Sequence, residues 1–146
     1  MIMKRTILIL LSLLFAVSII SAQDSQDIVS RCAMEIGENT TYLKDFVIKL
    51  GEAGSGMETP VHKANIYLMK NQNYLFTMCN GDDSEGDLIL QLYDKEKLII
   101  SSYNRNTNRV YGSFEFSCNK TGLYTLWYSF KDGQKGNGVG IVSLIK

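Results

Sequence analysis

The stretch "GDLILQLYDKEK", Gly86 to Lys97, places Leu88, Leu90 and Leu92 at every second position and then closes on Tyr93, Asp94 and a run of charges. Successive side chains of an extended chain point to opposite faces, so this pattern sends one face into a core and leaves the other to water. The same period runs through most of the sequence. Phe46, Ile48 and Leu50 alternate in "KDFVIKL", Ala64, Ile66 and Leu68 in "KANIYLMK", and Tyr74, Phe76 and Met78 in "NYLFTMC". "KLIISS" follows, then Phe114 and Phe116, then Tyr124, Leu126, Tyr128 and Phe130 in "GLYTLWYSF", and "NGVGIVSLI" near the end. Turn residues separate these runs at Gly81-Asp82-Asp83, Asn104 to Asn108, Asn119 to Gly122 and Asp132-Gly133. About eight short strands with such punctuation predict an all-β fold, an antiparallel jelly-roll-like β-sandwich. The apolar rows supply its driving force at about 25 cal/mol per Å² buried.

Ahead of the first strand the period changes. Ile28, Val29, Cys32 and Ile36 fall on one face of a helix over Asp24 to Ile36, and Gly37 suits the left-handed residue that follows a helix end. Earlier still, Lys4 and Arg5 precede an apolar run from Ile7 to Ile20, and Ser21-Ala22-Gln23 supplies small residues before "DSQD". That layout is a secretory signal peptide cleaved near Ala22, the apolar run being short for a permanent span, with a retained anchor as the alternative. The predicted organisation is residues 1–22 as signal peptide, 23–43 as a helical leader and 44–146 as the sandwich. The mature part keeps 124 of the 146 residues, with 13 basic against 15 acidic side chains and a net charge of −2. Basic residues are scattered singly, which argues against nucleic acid or an anionic membrane as partner. No membrane span is expected in the mature chain, and its place is the periplasm or the exterior.

Two strand patterns resemble a known family. "DLILQLYD", with Asp87, Leu88, Leu90, Leu92, Tyr93 and Asp94, and "TGLYTL", with Thr121, Gly122, Tyr124 and Leu126, look like paired strands of the bacterial pre-peptidase C-terminal (PPC) domains. The likeness runs from about Lys63 to Ile145. It implies an exported accessory sandwich that binds or assists rather than catalyses, here without an attached protease domain. Asn39-Thr40-Thr41 and Asn119-Lys120-Thr121 fit the N-glycosylation pattern, which matters in a eukaryotic secretory route, whereas the leader and the resemblance point to a bacterium.

Three cysteines in an exported chain allow one internal disulfide. Cys79 and Cys118 both close strand-like segments and are the expected pair, although Cys32 could equally partner either. The chain's one histidine, His62, follows Pro60 in "GEAGSGMETPVH", a segment that reads as a flexible surface loop and a poor place to orient a catalytic base. That glycine-rich segment is no phosphate cradle either, because Met57 and Glu58 stand where Lys and Ser or Thr are needed. "DGQKGNGVG" reads as a turn entering the final strand.

Two polar or aromatic features are candidates for function. In "CNGDDSEGD", Asn80, Asp82, Asp83, Glu85 and Asp87 could converge oxygen ligands on Ca²⁺, although EF-hand spacing is absent and solvated acids in a strand connection are the plainer account. No other cofactor is implied. If Tyr124, Leu126 and Tyr128 face the core, Trp127 faces outward, with Tyr103 or Tyr67 as neighbours, and could stack on a sugar or anchor a protein. The alternative is a Trp127 covered by the helix or the other layer. The resulting expectation is a non-catalytic binding or accessory module for a protein or glycan at the cell envelope. A structural envelope protein, with the helix docking a partner and Cys32 cross-linking chains, is the second reading, and a small hydrolase the third.

Overall fold

Every run with the two-residue apolar period is extended, and cross-strand pairing sorts the runs into two four-stranded sheets. The computed structural model describes residues 20–146. In chain order these are helix α1 (Ile20–Ala33), β1 (Thr40–Leu50), β2 (His62–Leu68), β3 (Asn73–Asn80), β4 (Leu88–Asp94) and β5 (Lys97–Ser101), then β6 (Tyr103–Asn104), β7 (Arg109–Val110), β8 (Ser113–Ser117), β9 (Gly122–Phe130) and β10 (Gly136–Ile145). One sheet has the order β1-β10-β3-β8 and the other β2-β9-β4-β5, all antiparallel, while β6 and β7 form a separate small hairpin. The protein is thus the expected antiparallel β-sandwich with one short helix. The signal-peptide reading covers residues 1–22, of which 1–19 lie outside the described residues, while Ile20, Ser21 and Ala22 belong to the start of α1. Among the described residues no helix is long and apolar enough to cross a membrane.

The inward faces are those the alternation assigns. Leu90, Leu92, Phe76, Leu126 and Tyr128 are fully buried, and Phe114 stacks on Phe76 with ring centroids 5.2 Å apart. Each fully buried side chain of this size contributes about 1.5–3 kcal/mol of transfer free energy. A second, smaller cluster forms on the outer face of the β1-β10-β3-β8 sheet, where Ile28 and Cys32 of α1 cover Val139 and Ile141 of β10. Gly37 has the left-handed φ of +79° expected of it. The helix stops at Ala33 rather than Ile36, since the chain continues through tighter i→i+3 bonds from Met34 and Glu35. The sandwich starts at Thr40 rather than residue 44, because Thr40 to Tyr42 already pair with β10.

Two expectations are corrected. First, the disulfide joins Cys32 to Cys79, not Cys79 to Cys118, and Cys118 is a buried free thiol. Cys79 and Cys118 do each close a strand segment, but β3 and β8 are antiparallel neighbours, so their C-terminal ends point in opposite directions along the sheet. Cys118 sits level with Gln72, to whose carbonyl its N–H donates, and Gln72 is about 23 Å from Cys79 along an extended strand. Cys79 also points to the helix side, whereas Cys118 belongs to the interior cluster. Second, His62 is not a loop residue. It opens β2 opposite Tyr128, half-buried, with ring centroids 6.4 Å apart. The glycine-rich "GNGVG" opens the central strand β10, as the reading of "NGVGIVSLI" expects, and the turn that enters it is Lys131–Gly133. A Cβ at Gly140 would come within 2.3 Å of the Tyr128 hydroxyl, and one at Gly136 within 2.4 Å of the Phe130 ring. Glycine here makes room for aromatics of the opposite sheet.

Candidate functional site

On β9 the alternation that buries Tyr124, Leu126, Tyr128 and Phe130 turns Trp127 to the outer face of the β2-β9-β4-β5 sheet. The helix lies on the other sheet, so it does not cover this face. Trp127 is half-buried by its own sheet neighbours. Lys63, directly opposite on β2, holds its Nζ 3.8 Å from the Trp127 ring centroid, and the Tyr93 ring of β4 lies 4.6 Å away with an interplanar angle of 33°. Lys63 comes from β2 and Tyr93 from β4, the strands that flank β9, and both pack against the indole. With Lys63 over the ring, a flat sugar stacking on that face would have to displace it.

Beside this aromatic step runs a groove of about 640 Å³. Ile89, Gln91, Tyr93, Trp127 and Ser129 form its floor, Thr59 and Val61 one wall, and Tyr103 and Arg105 the other. The Tyr103–Arg105 wall is built locally. Ser102 is buried because its hydroxyl accepts from the Leu90 N–H at 2.9 Å and its own N–H donates to the Leu90 carbonyl at 2.9 Å, stapling the β6-β7 hairpin to β4. Tyr103 donates its hydroxyl proton to Asn108 Oδ1 at 2.9 Å, and Asn104 Oδ1 accepts from the N–H groups of Asn106 and Thr107. Lys131 Nζ reaches the Asn108 carbonyl at 3.4 Å. The turn carrying Arg105 is therefore held from three sides.

Trp127 and Tyr103 are thus brought together, and Tyr67 is not. Tyr67 shares the outer face but stands four residues beyond Lys63 on β2, about 13 Å away, paired with Leu123 and highly exposed. Tyr93, Lys63 and Arg105 are members of the site that the sequence reading missed. Tyr93 carries a signal that could have found it, for it lies two residues beyond Gln91, on the same strand face, in the very stretch that sets the fold.

The acidic turn is spread out rather than gathered. Asp82 pairs with Arg31 of α1 at 3.0 Å and Glu85 with Lys135 at 3.3 Å, while Asp87 accepts from Asn80 Nδ2 at 3.0 Å. Asp83 is exposed. Among the described residues no three His, Cys, Asp or Glu side chains are placed to hold a metal ion. Asn80 instead uses its Oδ1 to accept from the Leu88 N–H at 2.8 Å, so the turn's polar groups lock the entry to β4.

The free cysteine and the histidine are far apart. Cys118 Sγ lies 3.8 Å from the Tyr124 hydroxyl, and Tyr124 is four residues along β9 from the Tyr128 that faces His62, a separation of about 13 Å. A Cys-His pair needs hydrogen-bond reach.

Scanned against protein-family models the chain matches none, and a search of curated proteins finds no match. Among solved structures it is similar to PliG of Aeromonas hydrophila, a periplasmic inhibitor of g-type lysozyme, with a TM-score of 0.47 and 9% identity over 74% of this chain and 88% of that one.

Proposed function

We propose that this protein is an exported, non-catalytic binding module that engages an envelope partner through the Trp127 groove. The observation that carries the reading is the outward aromatic step of Trp127 and Tyr93 beside a pre-shaped, walled groove, the composition in which Trp, Tyr and Arg concentrate binding energy. Export is supported by the Cys32–Cys79 disulfide, which persists in oxidising compartments. The strand patterns shared with the PPC domains support the accessory role. The distance between His62 and Cys118 and the dispersal of the acidic turn into separate ion pairs support a role without catalysis. The structural alternative loses both of its devices within the chain, since α1 packs its apolar face on β10 and Cys32 is bonded to Cys79.

The test is retention of envelope protein and cell-wall glycan fractions on the immobilised chain, native against Trp127→Ala. Truncating a central aromatic contact costs about 2 kcal/mol or more, so retention should fall about thirtyfold while circular dichroism stays unchanged. Equal retention by the two proteins would remove the groove from consideration.

A further inference from the structure

We infer that the occupant of the groove is an acidic segment of a protein, whose carboxylates meet Lys63 and Arg105 while its apolar atoms lie along Trp127 and Tyr93. This rests on the groove being the binding site, and goes beyond that reading by fixing the partner's charge and class.

Charge distribution is the first argument. The mature chain is slightly acidic as a whole; at this groove Arg105 and Asp132 are the charged lining residues, Lys63 adds a cation over Trp127, and Lys131 reaches the turn that carries Arg105. The carboxylates that pair with cations elsewhere do so away from it, at Arg31, Lys120 and Lys135. Among the described residues none of the three groove cations pairs with a carboxylate. Lys63 and Arg105 are exposed, and Lys63 is satisfied merely by the π-face of Trp127. A guanidinium or ammonium beside partly water-excluding aromatics gains more from an incoming carboxylate than one in open solvent.

Rigidity is the second. The hydrogen bonds within residues 103–108 fix the turn that carries Arg105 before any partner arrives, so the backbone there adds little ordering cost to binding. The state of Trp127 separates protein from glycan. Lys63 already lies over the indole and Tyr93 packs against it, so a stacking sugar ring would have to displace one of them, whereas a peptide can meet the exposed cations and hydroxyls as they stand.

Trp127 is the chain's one tryptophan, so its fluorescence reports the groove directly. The purified chain is titrated with poly-L-glutamate, and in parallel with poly-L-lysine and with polygalacturonate as an acidic glycan. The expected result is a saturable change in Trp127 emission with poly-L-glutamate alone. It should weaken about tenfold in Arg105→Gln, hold in the distant Arg31→Gln, and fade in about 0.5 M sodium chloride, where the Debye length drops to roughly 4 Å. Equal or stronger response to polygalacturonate overturns the protein assignment. An Arg105→Gln variant that binds poly-L-glutamate as the native chain does overturns the role of that cation and the inference with it. No response to poly-L-glutamate, with envelope retention still lost in Trp127→Ala, overturns the acidic partner and leaves the groove standing; no response together with full retention by Trp127→Ala overturns both.

Discussion

Replacing Cys32 and Cys79 together by serine cuts a covalent link between residues 47 apart in sequence, the one tie of that kind between α1 and the sheet beneath it. On the loop-entropy account, closing a loop of this length restricts the unfolded chain by about 4 kcal/mol, and that restriction disappears in the double variant. With an unfolding entropy near 2.1 cal/mol/K per residue, the mature chain should melt about 15 °C lower. The loss should not be shared evenly. The helix would be held by the small apolar cluster of Ile28, Val29 and Ala33, with Ile36 just beyond its end, against Val139 and Ile141, and a helix of at most 14 residues, shortened further by cleavage near Ala22, is marginal in water without its packing. Urea unfolding at equilibrium supplies the free energy, and native-state hydrogen exchange resolves the two parts. The α1 amides should exchange far faster in the double variant, while those of β4 and β9 keep protection that tracks global unfolding. A loss below about 1 kcal/mol, with α1 still protected, would refute both the entropic argument and the claim that the bond is what holds the helix down.

Two further outcomes test the packing. Leu90→Asp places a charge at a fully buried site and should abolish soluble folding, a cost above about 4 kcal/mol, whereas Gln91→Asp on the outer face should cost less than about 1 kcal/mol; equal behaviour would mean the register of β4 is wrong. At alkaline pH, burial raises Tyr124 to about 12, helped by its contact with Cys118, burial and Asp45 raise Tyr42 to about 12, and burial raises Tyr128 as well. The unfolded chain loses these protons near pH 10, before the folded one, so stability is complete below that pH and drains away as pH climbs toward 12. Tyrosinate absorbance followed beside circular dichroism checks this: ionisation of all eight tyrosines near pH 10 in a still-folded chain would contradict it.

The sandwich was legible because period-two alternation is a local property: Leu88, Leu90 and Leu92 announce their face without knowledge of any partner strand. What needed cross-strand register was not legible. The Cys79–Cys118 expectation failed because both cysteines end strands, and which ends meet depends on the direction of pairing. His62 was misread because the loop composition before it hid the start of β2. The outward turn of Trp127 followed from parity on β9, whereas Lys63 and Tyr93 reach the indole only through the β2-β9 and β9-β4 ladders, and Tyr103 lines the same groove through the hairpin after β5. The dispersal of the acidic turn depended on Arg31 and Lys135, which come from α1 and from the entry to β10.

The alternating glycines of β10 carry a consequence for how the two layers sit on each other. Gly136 and Gly140 leave notches that Phe130 and Tyr128 fill, so the sheets interlock like a key in its slot and admit one offset. Sliding either layer by a residue pair would drive an aromatic ring into a Cβ-bearing neighbour. The Trp127 face can therefore be redecorated by substitution without disturbing how the interior is aligned, which makes this strand the fixed backing plate of an adaptable front.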